Sequence, residues 1–175
     1  MLGKRFRFQK VGLRADVGES IMSDFRQLVK RLTGWSDEIV NAIRSEEEAD
    51  IYTRAGLCEA MVGGRPALVQ PRIDPDYVMP EWWVNKYGEN WRGWSNSDLM
   101  GEGYPPHDVN GDPYELHHIG QLTDSPLAEL TWAQHHDGGN FKVLHTFDDY
   151  SDIGRGEFAR EKSEYWKARY DMIVH

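Results

Sequence analysis

From Ile21 the apolar positions Ile21, Phe25, Leu28, Val29 and Leu32 recur at helical spacing, and Gly34 supplies the stop. Ser36 is placed to cap a second short helix, with Asp37 and Glu38 in its first turn and Ile39, Val40 and Ile43 on its apolar face. Ser45-Glu46-Glu47-Glu48 fits a capping box and opens a third helix through Ile51, Tyr52 and Ala55 to a stop at Gly56. The acidic run at 46–48 reads as a helix start in water and is assigned no ligand. Residues 1–19 lack a period and read as a lead-in.

The middle of the chain changes character. Residues 60–69 predict a β-hairpin turning at Gly63-Gly64. Residues 71–113 hold six of the eight prolines and the tryptophans Trp82, Trp83, Trp91 and Trp94, a looped aromatic segment whose tryptophans read as buried anchors. Asn110-Gly111 predicts a second hairpin leading into Tyr114-Glu115-Leu116. From about Gly154 a helix follows, packing through Phe158, Tyr165, Trp166 and Tyr170. No repeat or low-complexity tract interrupts this order, and the class is α+β.

Composition narrows the function. The 175 residues are 39% hydrophobic and 12% aromatic, enough for a core. No run reaches the roughly 18 apolar residues of a membrane helix, and no apolar stretch follows the basic start as in a secretory signal. A single cysteine, Cys58, excludes an internal disulfide and a cysteine-built zinc site, and reads as a small buried thiol. The net charge of −9 divides into +5 over residues 1–34 and −14 over the remainder. An acidic body argues against a protein that coats nucleic acid broadly, though not against a nuclease with few phosphate contacts.

The chemistry concentrates in five of the seven histidines: His117, His118, His135, His136 and His145. Neutral imidazole ligates metals and moves protons near neutral pH. Such a cluster fits a structural zinc site, a metallohydrolase or a metal-dependent nuclease. His107 and His175 stand apart and read as incidental. A different class, an acidic binding protein of the immunity or DNA-mimic type with a structural histidine-metal site, fits the charge but gives the paired histidines no task.

Tyr114-Glu115-Leu116-His117-His118-Ile119 resembles the first strand of the ββα-metal site of HNH nucleases. The ordered series around it is similar to the LHH branch of the HNH/endonuclease VII superfamily, toxin domains of bacterial polymorphic toxin systems. That series runs from Ser45-Glu46-Glu47-Glu48 through Asn96-Ser97-Asp98-Leu99-Met100, Gly103-Tyr104-Pro105-Pro106 and Glu115–Gln121 to Ser125–Thr131, His135, Leu144-His145, Phe158 and Tyr165-Trp166-Lys167. The resemblance spans roughly residues 36–169. It divides the chain into a basic helical lead-in or linker, 1–35, and a nuclease toxin domain, 36–175, with a helical N-terminal part, a ββα-metal core and a C-terminal helix.

The resemblance implies that His118 is the general base and that His117, His135 and His145 hold a divalent ion (Mg²⁺, Mn²⁺ or Zn²⁺). Colicin-type DNases, with a similar Tyr-Glu-Leu-His-His strand, also use an all-histidine site. His136 rivals His135 and reads as its solvent-facing neighbour. Asp137-Gly138-Gly139-Asn140 predicts a break in the helix between His135 and His145. Glu115 reads as a carboxylate bonded to a ligand histidine or as a strand residue facing water. No asparagine lies between His118 and His135 to orient the base, which leaves His135, Glu129 or a backbone carbonyl for that role. Lys142, Arg155, Arg160, Lys162, Lys167 and Arg169 read as a phosphate-facing groove, or as surface charge paired with Glu157, Glu161 and Glu164. The implied substrate is DNA, with RNA as the second possibility. The implied partner is a cognate immunity protein, and the implied setting is a secreted or delivered effector acting in the target-cell cytoplasm.

Overall fold

The structure is a computed structural model that describes residues 15–145 and 155–174. Of the lead-in read over residues 1–19, residues 1–14 lie outside them, whereas 15–19 are already helical. Helix α1 (Ala15–Thr33) ends at Gly34, whose N–H bonds the Lys30 carbonyl. Ser36 caps α2 (Asp37–Ala42) by accepting from the Ile39 N–H. Ser45 caps α3 (Glu46–Arg54) by accepting from the Glu48 N–H at 3.0 Å. The three helices pool their apolar faces, and Phe25, Val29, Trp35, Ile39, Ile43 and Tyr52 are buried together.

The predicted hairpin forms as β1 (Cys58–Val62) and β2 (Arg65–Val69), antiparallel across Gly63-Gly64. After β2 come α4 (Glu81–Tyr87) and α5 (Asn96–Gly101), then β3 (Glu115–His118) and β4 (Leu127–Leu130). β3 and β4 pair antiparallel, and β4 joins β2 in parallel, giving one sheet in the order β1-β2-β4-β3. Two short helices follow, α6 (Trp132–His136) and α7 (Asn140–Leu144), and α8 (Arg155–Val174) closes the chain. The succession of β3, β4 and α6 is a ββα unit, and the class is α+β.

Strand alternation divides the sheet into two covered faces. Leu68, Ala128 and Leu130 point to the side of α1, α2, α3 and α7. Ala67, Val69, Leu116 and Leu127 point to the side of α8, where they meet Tyr165 and Trp166. Phe158 and Tyr170 are half-buried on that same face, as the helical spacing predicts.

Three local expectations are corrected. Asn110-Gly111 does turn, with Asp108 accepting from the Asn110 and Asp112 N–H groups, but only one bridge, His107 to Pro113, flanks it. Pro105, Pro106 and Pro113 have no N–H to give a ladder, so no hairpin grows there and β3 pairs forward with β4. Cys58 is exposed, because it begins an edge strand. Of the segment's tryptophans, Trp83 is buried, Trp91 and Trp94 are half-buried, and Trp82 is half exposed. Trp83, Met79, Val84 and Leu99 form a separate small core. Asn96 fixes its loops, bonding the Asp74 and His107 carbonyls through Nδ2 and the His107 N–H through Oδ1.

Two buried carboxylates tie distant elements to the sheet. Glu48, expected in water, is 3% exposed and accepts from Tyr52 Oη at 2.7 Å, the Arg44 N–H at 2.8 Å and the Gly120 N–H at 2.7 Å. Gly120 has φ +67°, and a Cβ there would strike the Ala42 carbonyl, so glycine lets α2 and α3 close on the end of β3. Glu129, fully buried on β4, takes the Arg169 Nε at 2.6 Å, Tyr165 Oη at 2.8 Å and the Gln70 N–H at 2.6 Å. Burial pushes its carboxyl upward against the pull of Arg169.

Glu129→Ala leaves the Arg169 guanidinium buried without its counter-charge and is expected to lose about 3–5 kcal/mol in urea unfolding. His107, packed edge-on to Trp83 at 5.1 Å, is held down to about 4 by burial. The unfolded chain therefore takes up this proton first, and stability falls as pH drops from the ordinary histidine range toward 4. That loss should reach about 3 kcal/mol, and urea titrations of His107→Phe beside wild type should show a shallower acid dependence.

Candidate metal centre

His117 and His118 are consecutive on β3, so alternation sends them to opposite faces of the sheet. His117 points with Glu115 toward α6 and α7. His118 points with Leu116 toward α8. Both rings are buried, at 5% and 4% exposure.

On the first face three imidazoles converge. His117 lies 5.5 Å from His135 and 5.3 Å from His145 by ring centroids, and His135 lies 5.0 Å from His145. One nitrogen from each falls within 4.8 Å of the others. The break at Asp137-Gly138-Gly139 is real, since Gly138 and Gly139 take positive φ between α6 and α7. It does not separate the two histidines, because α7 folds back and returns His145 to His135.

The hydrogen bonds around this cluster select which nitrogen faces inward. His135 Nδ1 donates to Glu115 Oε2, which leaves the lone pair on Nε2. His145 Nδ1 donates to the Phe141 carbonyl at 2.9 Å, with the same consequence. The Nε2 atoms of His117 and His135 are buried and have no hydrogen-bond partner. Burial, and then the charges of His135, His145 and His118, hold His117 well below the ordinary histidine range, so it is neutral at pH 7. The partnerless Nε2 atoms of His117 and His135, with His145 beside them, suit a divalent ion that takes nitrogen ligands.

Glu115 is thus the carboxylate bonded to a cluster histidine rather than a strand residue facing water. It also accepts from His136 Nε2 at 2.9 Å. Burial raises its carboxyl, but the bonds and charges of His135 and then His136 outweigh burial and lower it. His136 is therefore not simply solvent-facing. It is half-buried, and its ring is stacked between Trp132 at 4.8 Å and Phe141 at 5.3 Å. Glu115, His135 and His136 form a second group of potential ligand atoms around the shared His135.

On the opposite face His118 Nε2 bonds Glu161 Oε2 at 3.1 Å, and its ring lies 4.8 Å from Phe158. Burial, joined by the charges of Arg65 and Lys162, lowers His118 against the opposing charge and hydrogen bond of Glu161. Glu129, considered for orienting the base, is taken up by Arg169, Tyr165 and Gln70. Arg169 is 5% exposed in that pair and leaves the expected phosphate groove. The side chain of Arg155 and all of His175 lie outside the described residues. Sequence assigns Arg65 no role at the site and names Glu161 only as an acid pairing with surface cations: they meet His118 from β2 and α8, and no local spacing connects them.

Residues 95–172 match the family LHH, a nuclease of the HNH/ENDO VII superfamily with conserved LHH. This segment is an LHH-family nuclease segment. Leu116-His117-His118 supplies the three letters, and all four site histidines lie within it. The LHH match begins well after residue 36, where the resemblance was expected to start. No curated protein and no solved structure matches the chain. The match of residues 95–172 to a nuclease family implies a nucleic-acid substrate for that segment, and among the described residues no helix is long and apolar enough to cross a membrane.

Glu115→Ala releases His135 from its tautomer and is expected to weaken binding of Zn²⁺ or Mn²⁺ about 10- to 100-fold by calorimetric titration.

Proposed function

We propose that the protein is a metal-dependent endonuclease toxin that hydrolyses phosphodiester bonds, DNA in the first place, in competing bacterial cells. The observation that carries the nuclease chemistry is the convergence of His117, His135 and His145 on one side of β3, with His118 on the other. His117, His135 and His145 would hold the ion. When bound, it supplies positive charge for a non-bridging phosphate oxygen and for the charge developing on the leaving oxygen. His118, buried and neutral, takes a proton from the attacking water. The products carry 5′-phosphate and 3′-hydroxyl ends.

DNA is preferred because Tyr114-Glu115-Leu116-His117-His118 resembles the strand of colicin-type DNases. The toxin role, delivery into a target-cell cytoplasm and a cognate immunity protein follow from the resemblance to polymorphic toxin domains. The net charge of −9 favours a locally basic substrate groove over broad electrostatic capture. Among the basic residues near the site, Lys162 has its ammonium 4.2 Å from the Phe158 ring centroid, next to His118.

Purified protein should nick or linearise plasmid with Mg²⁺, Mn²⁺ or Zn²⁺ and lose activity with EDTA. His118→Ala should stay folded, bind metal and lose about 10²- to 10⁴-fold in rate. Metal-loaded wild type that leaves both plasmid and RNA intact would bring the acidic binding-protein reading forward.

A further inference from the structure

The His118 ring needs a fixed orientation, and the residue that supplies it comes from the last helix. We propose that Glu161 is the positioning residue of His118, holding the proton on Nε2 so that Nδ1 is the ring's acceptor. This inference rests on the proposed role of His118 as general base.

Five observations support it. The His118 side chain is 3% exposed, and Glu161 Oε2 meets its Nε2 at 3.1 Å. The other carboxylate oxygen, Oε1, binds Arg65 Nη1 at 3.2 Å, so both oxygens are engaged and the carboxylate plane is set. Arg65 is itself anchored, its Nη2 donating to the Asp124 carbonyl at 3.0 Å and the Ser125 carbonyl at 3.4 Å. Phe158, one helical turn before Glu161, lies against the same imidazole, so α8 fixes the ring by a contact and a hydrogen bond at once. The residues between β3 and α6 contain no asparagine for this task, and Glu129 is engaged elsewhere.

The proton count closes without Glu161 changing state. One water proton moves to His118 Nδ1 as the water oxygen forms its bond to phosphorus. The bond from phosphorus to the 3′-oxygen breaks, and that oxygen takes a proton from solvent. Glu161 keeps its Nε2–H bond throughout. A pocket lined by Arg65, Ala67, Leu127, Glu161 and Tyr165 opens beside this carboxylate, so a replacement at 161 has room without disturbing the histidine cluster on the other face.

The test combines ring ¹⁵N NMR of histidine-labelled protein at about pH 8, where a free imidazole is neutral, with kinetics, both with and without Mg²⁺. Wild-type His118 is expected as the Nε2–H tautomer, and Glu161→Ala as a mixture. Glu161→Ala should lower kcat about 10- to 100-fold, with KM and metal affinity changed less than about twofold. Glu161→Gln, whose amide oxygen can accept the same bond, should recover most of the rate. A wild-type ring in the Nδ1–H form, or Glu161→Ala cutting at the wild-type rate while His118→Ala is dead, overturns the positioning role alone. His118→Ala cutting like wild type removes the parent reading instead.

Discussion

The arrangement of the site depends on a carboxylate placed where carboxylates are rarely tolerated. Glu129 sits on an interior strand with no exposure, and its desolvation is offset only because a guanidinium, a phenol and a backbone N–H reach it together. Those donors come from β2's end and from α8. The requirement that all be satisfied at once therefore fixes the axial position and rotation of α8 against the sheet. One consequence is local: Phe158 and Glu161, two turns and more before Arg169, arrive at His118.

Strand geometry then divides the chemistry. Two consecutive histidines on a pleated strand face opposite layers, so they need no bent backbone to do different work. His117 enters a cluster whose other rings are turned inward by bonds at their outer nitrogens, Glu115 for His135 and a helix carbonyl for His145. His118 enters a separate environment of Phe158, Glu161 and Arg65. The separation keeps the group proposed to take a proton away from the lone pairs proposed to hold an ion, although only one peptide bond lies between them.

The buried Glu48 performs a comparable service at the other end of β3. By binding the Gly120 N–H it stops the chain directly after the paired histidines and links the first three helices to the strand. This joins the sequence around Ser45-Glu46-Glu47-Glu48 to the Gly120-Gln121 segment, two parts of the family-like series that lie far apart along the chain. The matched family segment thus rests on a helical layer that precedes it.

The sequence by itself determined the first three helices and the last, the Gly63-Gly64 hairpin, the α+β class and the histidine cluster, because those are set by local periodicity, capping and turn chemistry. It read the segment that holds α4 and α5 as loop. It also pointed to the break between α6 and α7, since two adjacent glycines disfavour helix wherever they fall. Only the tertiary structure decided that α7 folds back across that break to bring His145 to His135, and that Glu115 turns toward them. It likewise buried Glu48, withdrew Arg169 from the expected groove and exposed Cys58. The physical reason is the same in each case: a charged or polar side chain takes its environment from whichever elements pack over it. Glu161 meets His118 across 43 residues of chain, a separation at which spacing carries no information and only the packing of α8 on the sheet does.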